Sequence, residues 1–111
     1  MITIDISKDY TKSPGGRFIH EGAFSGEDFR EKVLLPKYLE TIRTGEALTV
    51  ILDGGYGYAP SFLEEAFGGL VRKLKDARIA DIRIISEEEP ELVDNIRDYI
   101  ADALKEISNE K

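Results

Sequence analysis

The chain has no cysteine and no tryptophan, and only one histidine and one methionine among its 111 residues. Those absences exclude a disulfide scaffold, a thiolate zinc site, a cysteine nucleophile and a histidine-rich metal centre. Long apolar runs are missing too, and no charged N-terminal stretch leads into a hydrophobic one. The expectation is a cytoplasmic protein with neither a membrane span nor a secretory signal. Positive charge is scarce: 15 Lys and Arg face 22 Asp and Glu, for a formal net charge of −7. A surface that tracks phosphates needs a basic stripe. The one basic cluster, Arg72, Lys73, Lys75 and Arg78, falls near the end of an expected helix, where cations complement the carbonyl end of the dipole. Nucleic-acid binding is disfavoured, and no residue pattern implies a cofactor or metal. What remains is one globular domain over residues 1–111, able to hide roughly 60 to 70% of the surface its unfolded chain exposes.

The acidity is unevenly placed. Thirteen acids and twelve bases precede Ser86, whereas nine acids and three bases follow Ile85. The excess therefore belongs to the C-terminal segment, on the outer face of an expected last helix.

Apolar periodicity orders the rest. Ile2, Ile4 and Ile6 alternate with polar residues, the period of a strand with one buried face. Ser13-Pro14-Gly15-Gly16 marks a turn, and alternation around Phe18 and His20 predicts a short second strand over Arg17 to Glu21. Ser25 followed by Asp28 has the spacing of a capping box, and opens a helix carrying Phe29 and Val33. Pro36 kinks or restarts that helix, Leu35, Leu39 and Ile42 continue its apolar face, and Gly45 stops it. Leu48 to Leu52 is nearly continuous apolar sequence, suited to a central strand covered on both faces. After Asp53 and a Gly/Tyr loop, Ser61 and Glu64 form a second capping box for a helix with Phe62, Leu63, Ala66, Phe67, Leu70, Val71 and Leu74. Gly68 and Gly69 inside it each cost about 1 kcal/mol relative to alanine, which points to a place where the helix backbone must approach the sheet or a partner closely. Ile82, Ile84 and Ile85 predict a fourth strand, and Glu89-Pro90 opens the last helix. The order β-β-α-β-α-β-α argues for an α/β fold with right-handed crossovers. In such sheets the default site lies beyond the carboxyl ends of the central strands, here Asp53, the loop after it and the helix start at Ser61.

Several chemistries compete there. Gly54-Gly55-Tyr56-Gly57 before a helix invites a phosphate reading, and so a nucleotide- or small-anion-binding module built on the Gly54 to Ser61 loop. The glycine spacing is neither a Walker A loop nor a dinucleotide fingerprint, however, and Asp53, Glu64 and Glu65 oppose an anion. Ser61 reads as a helix cap, as a phosphate acceptor at a helix N-terminus, or as a nucleophile with the sole histidine, His20, a pairing also open to Ser13. The paired acids Glu64/Glu65 and Glu87 to Glu89 sit at expected helix starts, which attract acids anyway. Tyr56 and Tyr58, alternating on the loop, have the character of interface anchors, or else pack over the sheet edge. The acid excess is better suited to solubility and partner selection than to a substrate, and the chain to binding rather than catalysis. An exposed first strand leaves both a monomer and a homodimer open.

Gly16-Arg17, Ser25-Gly26-Glu27-Asp28-Phe29-Arg30, Leu52-Asp53-Gly54 and Ser61-Phe62-Leu63-Glu64-Glu65-Ala66-Phe67-Gly68-Gly69-Leu70 together resemble the small bacterial STAS-like family of unknown function, related to the sulphate-transporter and anti-sigma-factor-antagonist domains. The resemblance covers essentially the whole chain. It implies a four-stranded mixed sheet with helices packed mainly on one face, and a non-enzymatic regulatory or protein-interaction domain. In the antagonists a GHKL-type serine kinase that is also an anti-sigma factor phosphorylates a serine at the start of the helix after the third strand. The matching position here is Ser61. Pro60 stands before it in place of the usual aspartate, and bulky Phe62 follows. The resemblance thus implies a partner surface made of Asp53, Gly54, Gly55, Tyr56, Gly57, Tyr58, Ser61, Phe62, Glu64 and Glu65, with a GHKL-type ATPase or kinase as partner.

Overall fold

The computed structural model describes residues 1–109. Three strands form one parallel sheet in the order β1-β2-β3: β1 Ile2–Asp5, β2 Leu48–Ile51 and β3 Arg83–Ile85. Register pairs Ile4 with Val50 and Val50 with Ile84, so these side chains share one face. They are buried there with Ile2 and Leu48. On the other face Thr3 and Arg83 are exposed, Ile51 and Ile85 are half-buried, and the Thr49 hydroxyl lies 3.4 Å from Met1 Sδ. β2 is central, as its apolar run predicts, but its second face is only partly covered.

The expected second strand is absent. Residues 17–21 hold a single 3₁₀ turn, Ile19–Glu21, inside a long loop. The reason is local: the Glu21 carboxylate accepts from the backbone N–H groups of Arg17 (2.8 Å) and Phe18 (2.9 Å), and Glu27 accepts from that of Ile19 (2.9 Å). Donors that a ladder would need are taken by side chains. The sheet is therefore three-stranded and wholly parallel rather than four-stranded and mixed. Strand 1 also ends sooner than its alternation suggests: Asp5 caps a short helix, α1 (Ile6–Asp9), and Ile6 reaches the core from that helix.

Two long helical runs cover the sheet, and each contains a π-helical turn. The first joins α2 (Gly26–Phe29) to α3 (Leu35–Thr44) through the π turn Arg30–Leu34. Pro36 has no N–H to give, and the wider turn before it carries the chain past that defect without ending the helix. Gly45 stops the run in left-handed geometry at φ 77°, a conformation glycine adopts without steric cost. The second run joins α4 (Pro60–Leu63) to α5 (Gly69–Leu74) through the π turn Glu64–Gly68. A last helix, α6 (Glu91–Ser108), packs on α5 and the second π turn through Leu92, Ile96, Ile100 and Ala103. No helix among the described residues is long and apolar enough to cross a membrane.

Candidate functional site

The loops beyond the carboxyl ends of the three strands are stitched to one another. Leu52 N–H donates to the Ile85 carbonyl at 2.8 Å, and the Asp53 carboxylate accepts from the N–H groups of Glu87 (3.0 Å) and Glu88 (2.9 Å). The N–H of Gly54 returns to the Glu88 carboxylate at 2.9 Å. At φ 95°, with Ser7 Oγ only 2.7 Å from where a Cβ would stand, position 54 accepts glycine alone. Tyr56 N–H donates to the Lys12 carbonyl at 2.8 Å. The loop after β2 is thus fixed to the loops after β1 and β3, and its N–H groups at 54 and 56 are already engaged, by the Glu88 carboxylate and the Lys12 carbonyl. That geometry is unfavourable for an anion.

The two loop tyrosines have separate roles. Tyr56 is 83% exposed. Tyr58 is half-buried against the core and donates its hydroxyl to the Leu52 carbonyl at 2.9 Å. Burial, and then the nearby carboxylates of Asp5, Asp53, Glu88 and Glu89, push its phenol pKa well up. Phe62, expected at the surface, is fully buried between Phe29 and Tyr58, with ring centroids 5.8 and 5.9 Å away. Any contact surface here is built without it.

Ser61 does not cap its helix. Ala59 occupies the N-cap position and Pro60 the first helical residue, with no side-chain cap bond. Ser61 is therefore second in the helix and half-buried. Glu64, which would complete a capping box, accepts instead from Arg17 (2.6 Å) and Arg72 (2.7 Å), and the Arg72 bond first, with Arg17 behind it, holds its carboxyl below the usual range. Glu65 turns inward to Arg30 at 2.5 Å, both side chains about one-tenth exposed at 12% and 11%. Neither acid of this pair is free to complement a partner, and the guanidiniums of Arg17, Arg30 and Arg72 neutralise them both. His20 stacks on Phe18 at 5.7 Å, and among the described residues neither Ser13 nor Ser61 hydrogen-bonds to it. No group of three or more acidic or histidine side chains among the described residues is disposed to hold a metal ion.

The basic cluster is similarly engaged. Arg72 serves Glu64, Lys73 serves Glu31 at 2.8 Å and Arg78 serves Asp76 at 2.8 Å.

Residues 25–91 match the family model of the STAS-like domain of unknown function (DUF4325). The chain belongs to that family. No curated protein and no solved structure matches it.

The structure explains what the STAS-like sequence signature does physically. Ser25 Oγ accepts from Asp28 N–H at 3.0 Å, but the Asp28 carboxylate, rather than reaching back, takes the Tyr10 hydroxyl at 2.6 Å. Gly26 lies so close to the Phe62 carbonyl that a side chain would collide with backbone. Phe29 stacks on Phe62. In α geometry Gly69 N–H would bond the Glu65 carbonyl; in the π turn it bonds that of Glu64, and Arg30 Nη1 takes the released Glu65 oxygen at 2.9 Å. A Cβ at Gly69 would fall within the van der Waals envelope of that same Nη1. So the close approach at the glycine pair is to side chains and not, as expected, to the sheet or a partner: Arg30 at Gly69, and Glu64 with Arg72 at Gly68. The Ser-Gly-x-x-Phe-Arg and Ser-Phe-x-x-Glu-x-Phe-Gly-x-Leu segments of this STAS-like domain form a clamp between two helices. Sequence reasoning missed this ion network because the pairs that cross between segments, Arg30 with Glu65 and Arg17 with Glu64 and Glu65, lie 35 to 48 residues apart, with no local spacing to reveal them.

Proposed function

We propose that this STAS-like domain is a non-catalytic regulatory module that binds a protein partner at the carboxyl edge of its sheet, with Tyr56 as the central contact, Asp53 to Gly57 around it and Ser61 at the margin. The carrying observation is an 83% exposed tyrosine on a loop fixed by its neighbours. Such a side chain offers large contact area at small entropic cost. The partner is a GHKL-type ATPase or kinase, and Ser61 is its phosphate acceptor. A phosphate on Ser61 would meet the positive end of a helical run and two neighbouring acids that arginines already neutralise.

The test is direct mixing of the purified domain with a GHKL-type ATPase and ATP, with binding by calorimetry and phosphate located by mass spectrometry. Tyr56→Ala should weaken binding about tenfold or more, since truncating a central anchor costs over 1 kcal/mol. Phosphate should appear on Ser61 and vanish in Ser61→Ala. Unchanged binding by Tyr56→Ala removes the surface, and modification elsewhere removes the switch.

A further inference from the structure

The loop that replaced the expected strand carries chemistry that the carboxyl-edge site does not use. Its ends, Tyr10 and Ser25, are joined where the Tyr10 hydroxyl lies 3.4 Å from the Ser25 carbonyl, which makes residues 10–25 an Ω-loop, a class often functional. It exposes three large apolar side chains, Phe18 (38%), Ile19 (53%) and Phe24 (43%). Beside them lies a cavity of about 350 Å³ lined by Ile19, Gly22, Ala23, Phe24, Asp28 and Lys32. Exposed apolar groups clustered in this way mark contact sites more often than isolated ones do.

The loop is also held rigidly in this display. Glu21 ties the backbone at Arg17 and Phe18, Glu27 ties Ile19, and Gly15 N–H donates to the Phe24 carbonyl at 2.8 Å. Gly26 and Glu27 N–H groups return to the carbonyls of Gly16 (2.9 Å) and Arg17 (3.0 Å). Phe24 sits at φ 62°, a left-handed conformation sterically costly for a side chain of its size. Its ring rests edge-on against Tyr10 at 5.5 Å. A strained, many-times-tethered backbone that keeps apolar groups in water has had its ordering cost met before any partner arrives.

We propose that this Ω-loop is a preformed docking surface for an amphipathic helix of a protein partner, apolar on one face and flanked by lysine or arginine. Strand addition is excluded as the mode, because the N–H groups at 17, 18 and 19 are already spent on glutamates; recognition must run through side chains, as in helix-in-groove binding. The basic flank follows from charge. Glu21 and Glu27 rim the patch with no basic side chain paired to either among the described residues, and the backbone N–H groups of Phe18 and Arg17 hold the Glu21 carboxyl down and ionised. Of the nearby cations, Arg17 is committed to Glu64 and Lys32 to Asp28. A second copy seated on the same surface would set Glu21 and Glu27 against the same two acids of its own, which favours a basic partner over self-association.

The surface is independent of Tyr56 and Ser61, so its test can fail without touching the carboxyl-edge reading. The ¹⁵N-labelled full chain is titrated with two synthetic amphipathic helices that share a leucine stripe, one flanked by lysines and the other by glutamates. The expected result is saturable shifts at Ile19, Ala23 and Phe24 with the lysine peptide, binding about tenfold or more weaker with the glutamate peptide and with Ile19→Asp, and no change in Tyr56→Ala. Shifts that map elsewhere, equal binding of both peptides, no binding of either, or full binding by Ile19→Asp overturns the proposal. Concentration-dependent shifts at these residues without peptide would overturn it in favour of a homodimer.

Discussion

Replacing Gly69 with alanine sets two known effects against each other. Alanine in a helix interior gains about 1 kcal/mol over glycine. Here the new methyl must expel the Arg30 guanidinium, which bonds both the carboxylate and the carbonyl of Glu65. Both charged side chains are nearly buried, and breaking such a pair costs about 3 to 5 kcal/mol because the surviving charge is left without its partner. The expected net loss is about 2 to 4 kcal/mol. Gly68→Ala is the internal control. Its methyl meets the ends of Glu64 and Arg72, which are a quarter to a third exposed and free to swing away, so a pair worth at most about 1 kcal/mol is traded for an equal propensity gain. Urea unfolding followed by circular dichroism reads both, with equal m-values required for the comparison. In an Arg30→Met background the Gly69→Ala penalty should disappear, a coupling that a double-mutant cycle measures even if the single variant is barely folded. Equal stability of the two alanine variants, or a penalty that survives removal of Arg30, would refute the clamp.

Three further outcomes are expected. Gly26→Ala brings a methyl against the Phe62 carbonyl, backbone that cannot rotate aside, so α2 and α4 must separate; a loss of about 1 to 3 kcal/mol should lower the melting temperature by several degrees. Asp76 caps the 3₁₀ turn Ala77–Asp81, and the Arg78 guanidinium first, with the Arg78 N–H and Tyr38 hydroxyl behind it, lowers its pKa from 3.8 to about 2. A folded-state pKa depressed in this way contributes stability that is complete above pH 4 and lost as the pH falls towards 2; acid titration of Asp76→Asn should therefore show a shallower decline over that window, and an unchanged slope would dismiss the contribution. Tyr58→Phe removes the hydroxyl donor to the Leu52 carbonyl and should cost about 1 kcal/mol in thermal unfolding.

Much of the scaffold could be read along the chain because its determinants are local. The apolar run at Leu48 to Leu52, the stop at Gly45 and the apolar faces of the second run and the last helix came through as periodicity or backbone chemistry. In the first run, however, Leu39 (48%) and Ile42 (40%) are exposed, because the π turn after Phe29 shifts the buried stripe by one residue onto Leu34, Tyr38 and Thr41. Arg17 to Glu21 misled for an equally physical reason: alternating Phe18 and His20 stack on each other in a loop whose backbone bonds go to Glu21 and Glu27. Ser61 and Glu64 have capping-box spacing, but Pro60 claims the first helical position and two arginines claim the carboxylate. At the carboxyl edge, Asp53 and Tyr56 are where strand order placed them. The stacking of Phe62 on Phe29 and the inward turn of Glu65 depend on residues some 35 positions away, and no windowed pattern contains that information.

The paired π turns also constrain how this chain can change in length. Each holds one residue more than a regular helix would in the same span. Deleting one residue from Glu64–Gly68 would restore α geometry over the same span, leave Leu70 and Val71 facing the core, and close the gap in the ladder that gives the Glu65 carbonyl to Arg30. Deleting one from α5 instead would rotate everything beyond it by about 100°. A single-residue deletion should thus be tolerated at the π turn at the cost of the clamp, and rejected in the regular turns that follow it.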